Sequence, residues 1–486
     1  MTRVLVVGAG MVGARVADDL LAADSAGRLD VTVLGAEATT PYNRVLLSDV
    51  VAGRYAASEI GLPPLPHDRL AVHEGVAVTS VDRADRSVTT SDGRRLRYDF
   101  LVLATGARAR VPDLPGLRVG EGGRLPAGVH PLRTLGDATA VVAASRTARH
   151  AVVLGGGVLG LEVATGLRRR GLAVVVVHPG AGLMDRQLGS QAADVLARSL
   201  HDLGVGHRLG RGATEVVTTA GADGRRAVEG VRLSDGEVVP ADLLVVTAGT
   251  VPDTDLARGA GLAVGRGVLV DEHSRTADPR VFAVGDCAEP PEGGTGLVAQ
   301  GWAQSARLAE LLTSGTRPPA PAPAPAGDDV VRVKAHGVDV VTMGVSGGAD
   351  ARTVVLSDPA AGRHVEVSVV GDRLVGATCI GSPDVAADLV VAYTRRTPLP
   401  TDPARLLLTA LAGEPVARVP VTEMPDEGVV CRCSSVTKGA IRAAVADGAH
   451  DVAEVAARTR ASTGCGSCRA DVCAVLAALT PADAPA

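Results

Sequence analysis

Four cysteines toward the C-terminal end of the chain have the residue type and spacing of a metal site. Cys431 and Cys433 form a C-x-C pair, and after 31 further residues Cys465 and Cys468 form a C-x-x-C pair. Two close pairs of thiolates, brought together by an intervening helical segment, supply the four sulfur ligands of a [2Fe-2S] cluster. Zinc also binds four thiolates, but its structural sites usually carry C-x-x-C on both sides. We therefore predict a [2Fe-2S] cluster, with zinc and a disulfide as the alternatives.

A glycine-rich loop follows the first apolar run of the chain. Gly8, Gly10 and Gly13 form the pattern G-x-G-x-x-G between residues 4–7 and an amphipathic stretch that continues to Leu21. The first glycine allows a tight turn, the second lets backbone N–H groups approach a pyrophosphate, and the third lets the helix pack on the strand. The sequence therefore predicts a first dinucleotide site.

The acidic residue that should bind the ribose of this dinucleotide follows the second predicted strand, residues 31–34. Gly35 occupies the nearest position, so Glu37 is the first carboxylate available. We predict that Glu37 has this role.

The same pattern occurs a second time. Gly155, Gly157 and Gly160 follow the apolar run 151–154 and open a second predicted helix. Two dinucleotide folds in one chain predict two bound dinucleotides. His178 stands at the position where an acidic residue would indicate NADH. An arginine there would indicate the 2′-phosphate of NADPH, and the sequence has none at that position. The choice between NADH and NADPH stays open.

Composition narrows the class of protein. The chain has 486 residues, enough for about three domains. It has only two Phe, one Trp and four Tyr and a net charge of −5, which argues against a nucleic-acid partner. Its longest apolar run, residues 172–177, is far too short to cross a bilayer, and the N-terminal residues resemble a buried strand rather than an export leader. We expect a cytoplasmic protein with reduced cysteines and no membrane partner.

Three further segments resemble the two-dinucleotide-domain flavoprotein disulfide reductase superfamily. They are LVLATGA at 101–107, LLVVTAGTVP at 243–252 and TADPRVFAVGD at 276–286. The resemblance implies an α/β fold with Rossmann-like FAD and NAD(P) domains, an aspartate, Asp286, that binds the ribityl chain of FAD, and a glutamate, Glu162, beside the nicotinamide. It also assigns Thr105, Gly106 and Gly285 to FAD and Gly249 to NAD(P)H.

The chain departs from the disulfide reductases because residues 11–24 contain no C-x4-C pair, so no dithiol relay is expected. The stretches PYNRVLLSDVVAG at 41–53, VHPLRTLGDA at 129–138 and LMDRQLG at 183–189 instead resemble two groups of proteins. These are assimilatory NAD(P)H nitrite reductase large subunits and the electron-transfer subunits of assimilatory nitrate reductases. This resemblance implies that Arg44 belongs to the flavin pocket.

The C-terminal residues closely resemble the bacterioferritin-associated ferredoxin module, a small helical [2Fe-2S] fold. Thr437 and Asp451 have the positions of N-caps of two helices, and a third is predicted just after Cys468. Cys379 is predicted to be a core residue. Cys287 is predicted to be a small buried residue, with a position near the flavin as the alternative. Cys473 is predicted to pack inward, with a role as a substitute cluster ligand as the alternative.

A proline-alanine run, RPPAPAPAPAG, should act as a stiff spacer between domains. Short Val-rich runs after it predict a small α+β interface domain, which in the resembling reductases packs against the flavin unit and supports a homodimer. The predicted domains are FAD-binding 1–112 and 250–316, NAD(P)-binding 113–249, linker 317–327, interface 328–405 and [2Fe-2S] 425–480.

Together these parts predict an electron path from NAD(P)H through FAD to the cluster. A sirohaem and [4Fe-4S] centre would need four more cysteines, and only three remain, so catalysis is expected on a separate polypeptide. The preferred partner is the molybdenum subunit of an assimilatory nitrate reductase. A sirohaem nitrite reductase, a ferredoxin or an oxygenase is the alternative acceptor, and a non-enzymatic redox sensor is the alternative function.

Overall fold

The computed structural model describes residues 1–63, 67–118, 124–220, 225–314, 329–347, 350–400, 402–407, 420–431, 434, 436–464, 466 and 468–479. The predicted linker and two of the predicted cluster ligands, Cys433 and Cys465, lie outside these residues.

The first third of the chain alternates buried strands with helices. Val4 and Val6 have no exposed surface, as expected of a central parallel strand covered on both faces. The elements to residue 144 are β1 (Thr2–Val7), α1 (Met11–Ala23), β2 (Leu29–Leu34), α2 (Leu47–Ala52), β3 (Leu70–His73), β4 (Val78–Asp82), β5 (Ser87–Thr90), β6 (Arg95–Arg97), β7 (Phe100–Leu103), β8 (Ala107–Ala109), β9 (Val129–Pro131) and α3 (Leu135–Ala144).

The alternation begins again at the second glycine loop. Helix and strand follow one another as predicted there, because the buried runs are short and separated by glycine and polar turns. The elements from residue 150 to 314 are β10 (His150–Leu154), α4 (Val158–Arg169), β11 (Ala173–His178), α5 (Ser190–Asp202), β12 (Val205–Leu209), β13 (Ala213–Ala220), β14 (Arg226–Leu233), β15 (Val238–Pro240), β16 (Leu243–Val246), β17 (Thr250–Pro252), α6 (Asp255–Gly259), β18 (Val268–Leu269), β19 (Val281–Ala283), β20 (Ala288–Glu289) and α7 (Val298–Ser314).

Two five-stranded parallel sheets organise these elements, in the orders β19-β7-β1-β2-β3 and β12-β11-β10-β16-β9. In each sheet the strand before a glycine loop, β1 or β10, lies where the strand order reverses, and ligands bind at the carboxyl edge of such a switch point. The antiparallel pair β8 and β17 connects the two units. The predicted α/β class with two Rossmann-like domains is confirmed.

The interface domain is an antiparallel sheet covered by one helix. The sheet has the order β21-β22-β25-β24-β23. Residues Val333, Ala335 and Val338 pack into the hydrophobic core that surrounds α2 and α4, so this domain is joined to the dinucleotide-binding domains. Its elements are β21 (Val331–Val333), β22 (Val340–Gly344), β23 (Arg352–Asp358), β24 (Arg363–Val370), β25 (Arg373–Ile380) and α8 (Pro383–Arg395).

The C-terminal unit is a small helical bundle with one short hairpin. Thr437 accepts a hydrogen bond from the main-chain N–H of Ala440, and Asp451 accepts one from Glu454, so both predicted N-caps are confirmed. The elements are β26 (Val429–Cys431), β27 (Val436–Thr437), α9 (Lys438–Ala446), α10 (Val452–Thr459) and α11 (Arg469–Leu479).

The three cysteines outside the predicted cluster have different surroundings. Cys287 and Cys379 are buried in separate hydrophobic cores, as predicted. The prediction for Cys473 was wrong, because its side chain is exposed. Helix α11 buries Val472, Val475 and Leu476, and this spacing places Cys473 beside the buried stripe, on the solvent side.

None of the helices in the described part of the chain combines the length and the apolar character needed to cross a bilayer.

Candidate functional site

The first glycine loop leaves the N-terminus of α1 open. A Cβ atom at Gly13 would lie 1.8 Å from the carbonyl oxygen of Gly8, so only glycine allows the helix to approach the strand this closely. Gly10 is the N-cap residue, no side chain caps the helix, and nothing lies within 4 Å of the Cβ position of Gly10. Free N–H groups and the positive end of the helix dipole face this space, which fits the pyrophosphate of FAD.

The second glycine loop repeats this geometry at α4. A Cβ atom at Gly160 would lie 1.9 Å from the carbonyl oxygen of Gly155. Gly157 is the N-cap residue without a side-chain cap, and no atom lies within 4 Å of its Cβ position. The two helix N-termini are therefore equivalent anion sites, and the second fits the pyrophosphate of NAD(P)H.

Glu37 and Arg44 form a pair beyond the end of β2. Arg44 Nη2 lies 2.5 Å from Oε1 of Glu37, and the hydroxyl of Tyr42 donates to Oε2 of Glu37 at 2.7 Å. The guanidinium of Arg44 also stacks over the ring of Tyr42, 5.0 Å from its centroid. Burial raises the pKa of the Tyr42 phenol, so the hydroxyl stays protonated and keeps donating.

Arg133 connects this pair to Asp286. Its carbonyl oxygen accepts a hydrogen bond from Nη1 of Arg44 at 2.6 Å, and its own Nη2 lies 2.5 Å from Oδ2 of Asp286. We call the residues Glu37, Arg44, Arg133 and Asp286 the flavin crevice. Arg133 lies in one of the segments that resemble the nitrite and nitrate reductases, but its sequence neighbours give no signal of a partner 153 residues away.

The remaining predicted cofactor residues lie on the loops that face the two helix N-termini. Thr105 Oγ1 donates to the carbonyl oxygen of Asp253 at 2.6 Å, which ties the loop after β7 to the loop after β17. No atom lies within 4 Å of a Cβ position at Gly106 or Gly249, so both loops border open space. The N–H of Gly285 donates to Oε1 of Gln304 at 2.8 Å, which fixes the turn before Asp286.

Glu162 is buried, with only 6% of its side chain exposed, and it lies where three domains meet. Ser48 Oγ donates to its Oε2 at 2.5 Å, and the main-chain N–H of Lys334 donates to its Oε1 at 2.9 Å. The Lys334 ammonium group lies 3.3 Å from Oδ2 of Asp49. Sequence reasoning did not find Lys334 because the two carboxylates that surround it are far away along the chain.

His178 ends β11 at the position where the coenzyme preference was expected to be encoded. Its Nε2 lies 3.3 Å from Oδ2 of Asp185, so the imidazole has an acidic neighbour. This arrangement includes neither a carboxylate on β11 for a ribose nor an arginine for a 2′-phosphate, and it leaves the choice between NADH and NADPH open.

Two of the four predicted metal ligands come together from different segments. Cys431, at the end of β26, and Cys468, just before α11, are both buried. The neighbouring Cys431 side chain raises the pKa of the Cys468 thiol, and burial raises it further. Two adjacent thiols resist double ionisation unless a cation lies between them, which fits the iron of a [2Fe-2S] cluster.

The segment that ends at Cys468 lies against the FAD-binding domain. We call residues 461–468 the cluster loop, of which 461–464, 466 and 468 are described. Asn43 Nδ2 donates to the carbonyl oxygen of Thr463 at 2.9 Å and to that of Gly464. A Cβ atom at Gly466 would lie 2.9 Å from the Leu46 side chain. The residue before Arg44 thus binds the cluster loop directly.

Comparison with known proteins agrees with this architecture. Residues 2–309 match the Pyridine nucleotide-disulphide oxidoreductase family, and residues 429–478 match the BFD-like [2Fe-2S] binding domain. FAD, NAD(P)H and a [2Fe-2S] cluster are therefore the cofactors, as predicted.

Several curated relatives align with nearly the whole chain. The nitrite reductase [NAD(P)H] large subunit of Klebsiella oxytoca is 34% identical over 481 residues, which cover 96% of this chain and 48% of that protein. The assimilatory nitrate reductase electron transfer subunit of Bacillus subtilis (strain 168) is 30% identical over 473 residues, 96% of this chain and 58% of the relative. The chain thus spans about half the length of these relatives.

Shorter relatives and solved structures share the dinucleotide-binding part. The rhodocoxin reductase of Rhodococcus erythropolis is 37% identical over 300 residues, 61% of this chain and 67% of the relative. The covalent putidaredoxin reductase–putidaredoxin complex has a TM-score of 0.71 at 26% identity and covers 85% of this chain and 99% of its own chain. A ferredoxin reductase from Rhodopseudomonas palustris has a TM-score of 0.69 at 28% identity, with 81% and 93% covered. The chain belongs to the pyridine nucleotide-disulphide oxidoreductase family and carries a BFD-like [2Fe-2S] domain.

Proposed function

We propose that this chain oxidises NAD(P)H in the cytoplasm and delivers electrons to a separate catalytic subunit. The acceptor that we favour is the nitrate-reducing subunit of an assimilatory nitrate reductase. When bound, FAD accepts a hydride and releases electrons singly, and the [2Fe-2S] cluster carries one electron at a time. The residues of the chain bind and orient these groups, exclude water from the contact between the flavin site and the cluster domain, and hold the domains together.

The contact between Asn43 and the cluster loop carries this proposal. Asn43 binds the main-chain carbonyls of Thr463 and Gly464, and the next residue, Arg44, contacts Glu37 in the flavin crevice. One short segment therefore touches both the predicted flavin site and the loop that ends at Cys468. This contact brings the loop that ends at Cys468 against the segment that lines the crevice, which supports transfer of electrons from the flavin to the cluster.

Roles of individual residues are part of the proposal. In the flavin crevice, Arg44 and Arg133 supply positive charge near the expected position of FAD, and Glu37 and Asp286 orient them. The residues that we assign to FAD binding are Gly8, Gly10, Gly13, Glu37, Arg44, Thr105, Gly106, Gly285 and Asp286. Those assigned to the nicotinamide coenzyme are Gly155, Gly157, Gly160, Glu162 and Gly249. The cluster ligands are Cys431, Cys433, Cys465 and Cys468.

The preference for nitrate or nitrite assimilation rests on how much of the chain each group of relatives matches. The nitrate and nitrite reductase proteins align with 96% of the chain, which includes residues of the cluster domain, whereas rhodocoxin reductase aligns with 61%. Besides the four predicted ligands, only Cys287, Cys379 and Cys473 occur in this sequence, and the first two are buried in different cores. These three thiols do not provide a four-thiolate site for a second cluster within residues 1–486.

Alternative acceptors follow from the names of other relatives. Probable ferredoxin reductase CtmF of Castellaniella defragrans and the nitrite reductase of Bacillus subtilis (strain 168) both resemble this chain. A sirohaem nitrite reductase, a ferredoxin or an oxygenase therefore remains the alternative acceptor, and a redox sensor is the alternative function. Homodimer formation through the interface domain stays a prediction.

Reconstitution tests the proposed acceptor. The loaded protein is mixed with a purified molybdenum nitrate reductase subunit, and NADH-dependent and NADPH-dependent nitrite formation is measured. We expect nitrite only when both proteins and one coenzyme are present. A nitrate reductase subunit that is active with a viologen dye but receives no electrons from this chain would contradict the favoured acceptor. Rapid reduction of a sirohaem nitrite reductase in the same assay would support the alternative.

A further inference from the structure

Arg460 forms ion pairs between the cluster domain and the FAD-binding domain. It follows the last residue of α10, and its guanidinium group pairs with two acidic residues on α1, Asp18 and Asp19. The distance from Arg460 Nη1 to Oδ1 of Asp19 is 2.9 Å. The three side chains are between 11% and 28% exposed, so solvent screens these pairs less than it screens an ordinary surface pair.

The backbone of Arg460 also indicates that its side chain is needed there. Its φ is +65°, in the left-handed region where a glycine or asparagine usually ends a helix. An arginine is unfavourable in this left-handed conformation, so the need to end α10 does not by itself explain why position 460 carries an arginine. The left-handed turn ends α10, and the side chain that it carries reaches α1.

A second set of contacts fixes the other side of the same loop. Asn43 holds the carbonyl groups of Thr463 and Gly464, and Arg469 stacks over the ring of Tyr55 at 5.4 Å. The cluster loop therefore runs between ion pairs at Arg460 and a cation-π contact at Arg469, and all of these contacts are made with the FAD-binding domain.

We propose that Arg460 is a positioning residue for electron transfer within the chain, and that its ion pairs with Asp18 and Asp19 hold the cluster loop against the FAD-binding domain. We call these three residues the Arg460 latch. The inference rests on the proposed function, since it concerns the step between the flavin crevice and the cluster. Electron transfer weakens steeply with distance, so a loop that leaves the domain surface would slow this step and spare hydride transfer.

The test compares Arg460→Gln with Arg460→Lys and with Arg458→Gln, which removes an exposed cation on α10. Each loaded protein is mixed rapidly with NADH or NADPH under anaerobic conditions, and reduction of flavin and of cluster is followed by absorbance. For Arg460→Gln we expect normal flavin reduction and about tenfold slower cluster reduction, as for loss of a partly buried charge pair. Arg460→Lys should restore most of the rate, and Arg458→Gln should resemble the unaltered protein.

A double-mutant cycle and a structural readout separate the latch from a general loss of stability. Asp18→Asn removes one of the two partners on α1 and leaves Asp19, so the double variant should be no slower than Arg460→Gln alone. Small-angle scattering should report a larger radius of gyration for Arg460→Gln, and added salt should slow cluster reduction in the unaltered protein.

Each outcome has a distinct meaning. Unchanged cluster reduction in both Arg460→Gln and Asp18→Asn, or equal slowing in Arg458→Gln, would overturn the latch. Failure of NAD(P)H to reduce the cluster of the unaltered protein, while its flavin is reduced, would instead overturn the proposed relay. If Arg460→Gln does not fold, Asp18→Asn and the salt dependence decide, because neither alters the left-handed turn at Arg460.

Discussion

Lys334 contacts Glu162 through both its main chain and its side chain. Its N–H donates to Oε1 of Glu162 at 2.9 Å, and its ammonium group lies 3.6 Å from Oε2 of the same carboxylate. The same ammonium group lies 3.3 Å from Asp49 on α2, and its side chain is 20% exposed. One residue of the interface domain thus contacts two buried carboxylates, one from each dinucleotide-binding domain, and Arg54 also pairs with Asp49.

We expect Lys334→Met to destabilise the protein by about 3 kcal/mol, because it removes the cation beside buried Glu162 and leaves Asp49 with Arg54 alone. Arg352→Met is the matched control, since it breaks an exposed pair with Asp402 in the same domain and should cost less than about 1 kcal/mol. Thermal unfolding monitored by circular dichroism checks both. Equal melting temperatures for the two variants would mean that Lys334 is not needed to neutralise these carboxylates.

Replacing either open glycine, Gly10 or Gly157, with alanine should weaken the binding of one dinucleotide and leave the other unaffected. Gly10 and Gly157 have φ values of −74° and −82°, which alanine adopts easily, and no atom lies within 4 Å of either Cβ position. Both variants should therefore fold. The added methyl group would occupy space assigned to the pyrophosphate and keep it from the backbone N–H groups. Since a lost hydrogen bond to a charged group costs about 1.5–3 kcal/mol, each variant should bind its own dinucleotide roughly ten- to 100-fold more weakly.

The measurement is the flavin content of Gly10→Ala and the coenzyme affinity of Gly157→Ala, each compared with the other variant. Gly10→Ala should lose FAD selectively, and Gly157→Ala should keep FAD and lose affinity for NAD(P)H. If one variant lost both dinucleotides while the other lost neither, the assignment of the two loops to separate cofactors would be wrong.

Replacing a cluster ligand should uncouple the two halves of the relay. Cys468→Ser should remove the visible absorption of the cluster while FAD binding and hydride transfer persist, because the ligands lie in a domain with its own hydrophobic core. Cys473→Ser is the control, because Cys473 is exposed on α11 and should leave the cluster intact. Loss of flavin from Cys468→Ser would contradict the proposed separation of the sites.

Thiol reactivity should distinguish the three remaining cysteines in the loaded protein. Burial raises the pKa of Cys379 to about 12, and it also raises the pKa of Cys287, so both thiols stay protonated at neutral pH. Because only the thiolate reacts and the Cys379 side chain is buried, alkylation of Cys379 should be slow near pH 8 and should accelerate as the pH rises. A single fast thiol, Cys473, is expected in a titration with Ellman's reagent. Two or more fast thiols would contradict these assignments.

Local sequence signals were sufficient for much of the fold. Gly13 and Gly160 indicated close helix and strand packing, and Thr437 and Asp451 indicated helix starts, because each signal depends on neighbours a few residues away. Strand β23 was not predicted. Most of its side chains are exposed, so it lacks the apolar alternation that indicates a half-buried strand.

The contacts that join the domains could not be predicted in the same way. Arg133, Lys334 and Arg460 each reach partners more than 100 residues away, and nothing in their local sequence indicates which surface they meet. Cys473 was assigned to the wrong face because the buried stripe of α11 depends on how the helix packs on its neighbours. Sequence patterns identified the components of the candidate site, and the structure was needed to show how they adjoin.

Anaerobic reduction of the fully loaded protein tests whether electrons pass from NAD(P)H through FAD to the cluster. NADH or NADPH is added rapidly, flavin and cluster absorbance are followed together, and low-temperature electron paramagnetic resonance then measures the reduced cluster. We expect the flavin to be reduced first and the cluster to follow, until nearly every cluster is reduced. A flavin that is fully reduced beside a cluster that stays oxidised would mean that electrons do not pass from FAD to the cluster.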